Sequence, residues 1–149
     1  MTGLSARLSE IVEALPLEPG MRVLEIGGAP GSAARAVAGK VGPEGHVMVI
    51  DRSDKGVLQI YHLATDEIDA GRMSVRSVAA EDFDILDLEP FDLAFAIRVG
   101  SFDGRHPRNR AQALRRIAAA LTPEGRLFID GGDPLIEVDL SEYRPAARH

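Results

Sequence analysis

An acid followed by closely spaced glycines carries the first chemistry in this 149-residue chain. The run is Val23-Leu24-Glu25-Ile26-Gly27-Gly28-Ala29-Pro30-Gly31, and Asp51 stands 20 residues beyond its last glycine. Asp51 closes a second apolar run, Val47-Met48-Val49-Ile50. A strand, a glycine turn, a helix and a strand ending in an acid together form a grip for a nucleoside. The glycines let the backbone approach such a ligand. A dinucleotide site needs G-x-G-x-x-G to seat a pyrophosphate on a helix N-terminus. Here the spacing is Gly27-x-Ala29-x-Gly31, tighter by one residue, with Glu25 two positions ahead. A tight turn suits a ligand without phosphate, and an acid before it suits a cationic amino group.

The elements that must position these residues alternate along the chain, which predicts an α/β fold with a mostly parallel sheet and helices on both faces. Leu4, Leu8, Ile11, Val12 and Leu15 form one helical stripe, and Pro16 and Pro19-Gly20 end it. Strands are expected at Arg22–Ile26, His46–Ile50, Met73–Val78, Asp92–Ile97 and Arg126–Ile129. Helices are expected at Ser32–Val41, Asp54–Ala70 and Pro107–Leu121, the last stopped by Thr122-Pro123-Glu124-Gly125. Right-handed crossovers then carry Gly27 to Gly31, Asp51, Glu81, Asp82 and Arg98 to one edge of the sheet. One domain over residues 1–149 is expected, with a core at 21–130 and a tail at 131–149 in which Leu135–Leu140 could add a strand. That short tail would leave a sheet edge exposed, so a second copy is expected to cover it as a homodimer.

Composition narrows the function. No apolar run approaches the ~20 residues that span a bilayer, and the first ten residues lack a secretory layout. Cysteine is absent, which removes thiolate metal sites and a cysteine nucleophile and is compatible with a cytoplasmic location. A net charge of −6 disfavours broad binding to nucleic acid. Between Arg98 and Arg116, however, six arginines meet one acid, Asp103, which could form a local site for an acidic acceptor or a phosphate backbone. No cluster of residues points to a metal.

The tight turn and Glu25 favour S-adenosylmethionine over NAD. "VLEIGGAPG" then resembles the first motif of the class I S-adenosylmethionine-dependent methyltransferases, close to the small-molecule type labelled type 11. "VIDRSDKGV", "AAEDFDI" and "PFDLAFAIRVGSF" resemble the second to fourth motifs, and "ALRRIAAALTPEGRLFI" the following helix and strand. The resemblance implies a three-layer Rossmann-like fold, here ending after about strand 5 or 6, and a methyl transfer that leaves S-adenosylhomocysteine. It implies that Glu25 and Gly27 sit by the methionine moiety and that Asp51 takes the ribose hydroxyls, with Arg52 flanking the adenine. Asp82, preferred over Glu81, would accept from the adenine amino group, and Phe83 would cover the ring or offer its amide. Arg98 would face the acceptor.

Ala29 replaces the middle glycine of that family's turn. "Ala-Pro-Gly" also resembles the RNA ribose methyltransferases, but their lysine-centred catalytic set finds only Lys40 and Lys55 here. Methyl transfer needs a base only when the acceptor keeps its proton, and His106, after strand 4, is the one histidine placed to serve. The expected acceptor is a small molecule. The other functions left open are a non-catalytic or partner-dependent nucleoside-binding domain and, less favoured by spacing, an NAD-dependent oxidoreductase.

Overall fold

A computed structural model describes residues 4–99 and 107–145, with residues 107 and 108 as backbone alone. Six strands form one sheet: β1 (Arg22–Ile26), β2 (His46–Asp51), β3 (Met73–Ser77), β4 (Phe91–Ala96), β5 (Leu121–Asp130) and β6 (Leu135–Val138). Their spatial order is β3-β2-β1-β4-β5-β6. All neighbours are parallel except β6, which runs antiparallel to β5. The helices are α1 (Ala6–Ala14), α2 (Ser32–Val41), α3 (Asp54–Leu63), α4 (Thr65–Asp69) and α5 (Pro107–Ala120).

Successive strand residues point to opposite faces, and here both faces are covered, which is why the strands read as nearly unbroken apolar runs. Leu24, Ile26, Met48, Ile50, Ala94 and Ala96 pack with Leu114 and Ile117 of α5. Val23, Val47, Val49, Leu93 and Phe95 pack with Val12 of α1, Val37 and Ala38 of α2 and Ile60 of α3. The small residues Ala33, Ala34 and Ala38 bring α2 close to the sheet. From β1 the chain moves outward through β2 and β3, then returns to place β4 on the other side of β1. That reversal opens a crevice at the carboxyl ends of β1 and β4, where sheets of this kind bind ligands.

Three expectations about the elements are corrected. The helix expected over Asp54–Ala70 breaks at Ala64 into α3 and α4. The Thr65 hydroxyl donates to the carbonyls of Tyr61 and His62, a back-bond that bends helices. Strand β5 begins at Leu121, five residues earlier than expected, because Leu121 pairs with Phe91 before the register shifts to Leu93 and Arg126. The tail strand is the four-residue β6, since Asp139 turns the chain by accepting from the Ser141 N–H at 2.9 Å.

Candidate active site

Strand β1 runs directly into the glycine turn. The Gly27 N–H donates to the Ile50 carbonyl at 2.7 Å, continuing the β1–β2 pairing one residue past the strand. Gly31, at φ +111°, is the N-cap of α2, a backbone conformation open to glycine at little cost. Gly28 is fixed by space. A Cβ there would stand 2.5 Å from Val49 Cγ1 and 2.8 Å from Glu25 Cδ. The turn therefore lies flat on the Glu25 carboxyl group.

Glu25 is 2 % exposed, and its Oε1 has no hydrogen-bond partner. Burial, and secondarily the charge of Asp51, push its pKa up to about 8. A cavity of about 410 Å³ opens beside it. Its walls are Gly27, Gly28, Ala29 and Pro30 of the turn, Ser32 and Ala33 of α2, and Ile97 and Arg98 after β4, and α1 closes it with Ser5, Arg7 and Leu8. Asp130, at the end of β5, ties two of these walls together. It accepts from Arg7 Nη2 at 2.9 Å through one oxygen and from the Arg98 N–H at 3.0 Å through the other. That second bond holds Arg98 at φ +57°.

The cavity thus brings together Glu25, Gly27, Gly28, Ala29 and Arg98 of the residues singled out by sequence. Gly31 is buried beside it as the helix cap. Asp51 lies behind the turn: Oδ2 accepts from the Ala29 N–H at 3.2 Å, and Oδ1 accepts from the Ser53 N–H at 2.9 Å. Arg52 is exposed at the end of β2. Glu81 faces α5, with Oε1 accepting from Asn109 Nδ2 and its carbonyl from Gln112 Nε2, both at 3.3 Å. Asp82 is exposed, in the 3-10 turn Ala80–Asp82 that also carries Glu81. Phe83 is wholly buried, with the Arg76 guanidinium 5.3 Å from its ring centroid, and its N–H donates to Ala80. Arg105 and His106 lie outside the described residues. Arg7 was missed by sequence reasoning, because its place on the polar side of α1 gives no spacing signal.

A family model described as a methyltransferase domain matches residues 17–146. The chain belongs to that family. It falls with the class I S-adenosylmethionine-dependent methyltransferases. This chain is 29% identical over 135 residues to the ribosomal RNA large subunit methyltransferase E of Nitratidesulfovibrio vulgaris (strain DP4), covering 87% of this chain and 63% of that protein. It is 32% identical over 130 residues to the ubiquinone/menaquinone biosynthesis C-methyltransferase UbiE of Ectopseudomonas mendocina, covering 84% and 48%. The chain therefore spans less than two thirds of the length of these relatives. A crystal structure of coclaurine N-methyltransferase bound to N-methylheliamine and S-adenosylhomocysteine shares the fold, with a TM-score of 0.67, 21% identity, and coverage of 83% of this chain and 34% of that one.

S-adenosylmethionine is the cofactor of the family, and the residues present fit it. The orphaned Oε1 of Glu25 offers an acceptor for an ammonium group, and a glycine cradle that a Cβ would fill lies over it. Among the described residues, no helix is long and apolar enough to cross a membrane.

Proposed function

We propose that this chain transfers a methyl group from S-adenosylmethionine to a small-molecule acceptor. The observation that carries the reading is the buried, unpartnered Glu25 oxygen at the wall of a glycine-lined cavity. Bound S-adenosylmethionine supplies an activated sulfonium methyl group. The chain's part is to hold the acceptor against that group in attack geometry. Glu25 and the turn bind the amino-acid end, Asp51 and Asp82 serve the ribose and adenine, and Ile97 and Arg98 border the acceptor side. Arg98 adds positive charge there, suited to an acceptor with an anionic group. A net charge of −6 supports a small molecule over a polymer of phosphates.

RNA is the second reading, favoured by the 29% identical ribosomal RNA methyltransferase and by Ala29-Pro30-Gly31. The lysines speak against it: Lys40 pairs with Glu13 at 2.8 Å, and Lys55 is exposed in the first turn of α3. The proposal includes a homodimer through the edge strand β6, where Ile136 is 45% exposed, and a cytoplasmic setting.

Titration with S-adenosylmethionine, S-adenosylhomocysteine and NAD, read by calorimetry and thermal shift, tests the cofactor. Binding of the two sulfur nucleosides without NAD is expected. Methyl transfer across a panel of small nucleophiles and ribosomal RNA then tests the acceptor. Binding without any product would instead favour a non-catalytic nucleoside-binding domain. Light scattering tests the homodimer, and a monomer at high concentration rejects it.

A further inference from the structure

The cavity beside Glu25 has an acid and a cation in its wall. Glu25 carries an oxygen that nothing in the fold satisfies, and Arg7 of α1 lines the same cavity. An α-amino acid carries an ammonium and a carboxylate on one carbon, so a site that recognises it whole needs an acceptor for one and a cation for the other. Glu25 provides the first. A carboxylate held without a cation in a partly enclosed site would lose hydration with little in return.

Accepting the cofactor reading above, we propose that Arg7 is the residue that binds the carboxylate of the ligand's amino-acid end, and that α1 is thereby part of the cofactor site. Arg7 reaches Asp130 through Nη2 at 2.9 Å. A guanidinium has five N–H donors in a planar fork, so that contact leaves donors for a second carboxylate. Asp130 is 14% exposed at its side chain and is itself anchored by the Arg98 N–H, so it engages one edge of the guanidinium and competes with a ligand carboxylate at that edge alone. Ser5 sets the start of the helix, its Oγ accepting from the Leu8 N–H at 3.2 Å, and this places Arg7 in the first turn at the cavity mouth. Arg98 also lines the cavity, but its backbone is pinned to Asp130 and it stands after β4, on the acceptor side. Arg7 is thus a binding residue for the amino-acid moiety.

The test compares two ligands that differ in that moiety. S-adenosylhomocysteine carries the ammonium and carboxylate, whereas 5′-methylthioadenosine keeps the nucleoside and sulfur and lacks both. Their dissociation constants are measured calorimetrically on the whole chain and on Arg7→Ala, Arg7→Lys and Asp130→Asn. Arg7→Ala is expected to weaken S-adenosylhomocysteine about tenfold, as for loss of one charge-assisted contact, and to leave 5′-methylthioadenosine within about twofold. Arg7→Lys should recover part of the loss. Asp130→Asn, which breaks the ion pair but keeps Arg7, should hold the ratio of the two affinities at or above that of the unaltered chain. An unchanged ratio in Arg7→Ala overturns the proposal, as does an equal fall of the ratio in Arg7→Ala and Asp130→Asn, which would make Arg7 a tie for α1 only. Failure of the unaltered chain to bind either ligand overturns the cofactor reading itself, and this inference with it.

Discussion

Glu25 and Asp51, the two buried acids among the described residues, stand on adjacent parallel strands, and the charge on Asp51 helps to keep Glu25 protonated. Their surroundings differ. Asp51 accepts from two backbone N–H groups, whereas Glu25 Oε1 has no partner. Both oxygens of Asp51 are engaged by the fold, whereas one oxygen of Glu25 is not.

Proton release on ligand binding follows from this pair. With a pKa of about 8, Glu25 is mostly protonated at pH 7. An ammonium group placed against it favours the carboxylate and lowers that pKa. Binding of S-adenosylhomocysteine at pH 7 should therefore release close to one proton, and Glu25→Gln should release none. Calorimetry in buffers of different ionisation enthalpy measures the number directly. Equal proton counts for the two proteins would remove Glu25 from ammonium recognition.

Stability should carry the mark of the same group. Below pH 4.5, the ordinary value for Glu25, folded and unfolded chains both hold the proton. Between pH 4.5 and about 8 only the folded chain holds it, so the unfolded state binds fewer protons and stability falls as pH rises. The fall approaches about 1.4 kcal/mol per pH unit within that window and levels off above it. Glu25→Gln removes this contribution. Denaturant midpoints measured from pH 5 to 9 should show the variant gaining on the unaltered chain steadily up to about pH 8. A constant difference would mean that Glu25 is ionised in the folded chain.

Much of this was legible in the sequence, and the reasons are local. The alternation of apolar runs and helical stripes located β1 to β4 to within a residue or so, because strands covered on both faces leave little room for polar residues. Glu25 and the turn were readable because glycines 27 and 28 and the acid lie within four residues of chain. Arg7 was not, since it meets Asp130 across 123 residues and its helix shows only an apolar stripe. The break between α3 and α4 was hidden for another reason. It depends on which carbonyl the Thr65 hydroxyl reaches, and inward spacing continues across it.

Asp51 substitutions separate its two roles. Asp51→Ala strands the Ala29 and Ser53 N–H groups and should cost about 2–4 kcal/mol in the ligand-free chain. Asp51→Asn keeps one carbonyl acceptor and should cost about half as much. Both should also weaken S-adenosylhomocysteine if Asp51 reaches the ribose. Denaturant melts without ligand, set beside calorimetric affinities, give the two effects independently. Weakened affinity with undiminished stability would contradict the hydrogen bonds that anchor the turn.

Glycine-to-alanine changes at two sites should have opposite signs. At Gly28 the new methyl would press on Val49 Cγ1 at 2.5 Å and on Glu25 Oε1 at 2.9 Å. The β-branched Val49 has little freedom to move in a fully buried strand, so the turn itself must lift. A loss of about 1–3 kcal/mol is expected, as for overpacking in a core, with weaker binding of S-adenosylhomocysteine. Gly39 lies in α2, exposed, with nothing within 4 Å of a Cβ. Alanine there restricts the unfolded chain and favours the helix, a gain of about 0.5–1 kcal/mol with no change in affinity. Because both changes add the same methyl group, thermal melts of the two variants isolate the effect of place. A Gly28→Ala protein as stable as the unaltered chain would show that the turn does not rest on the Glu25 carboxyl group.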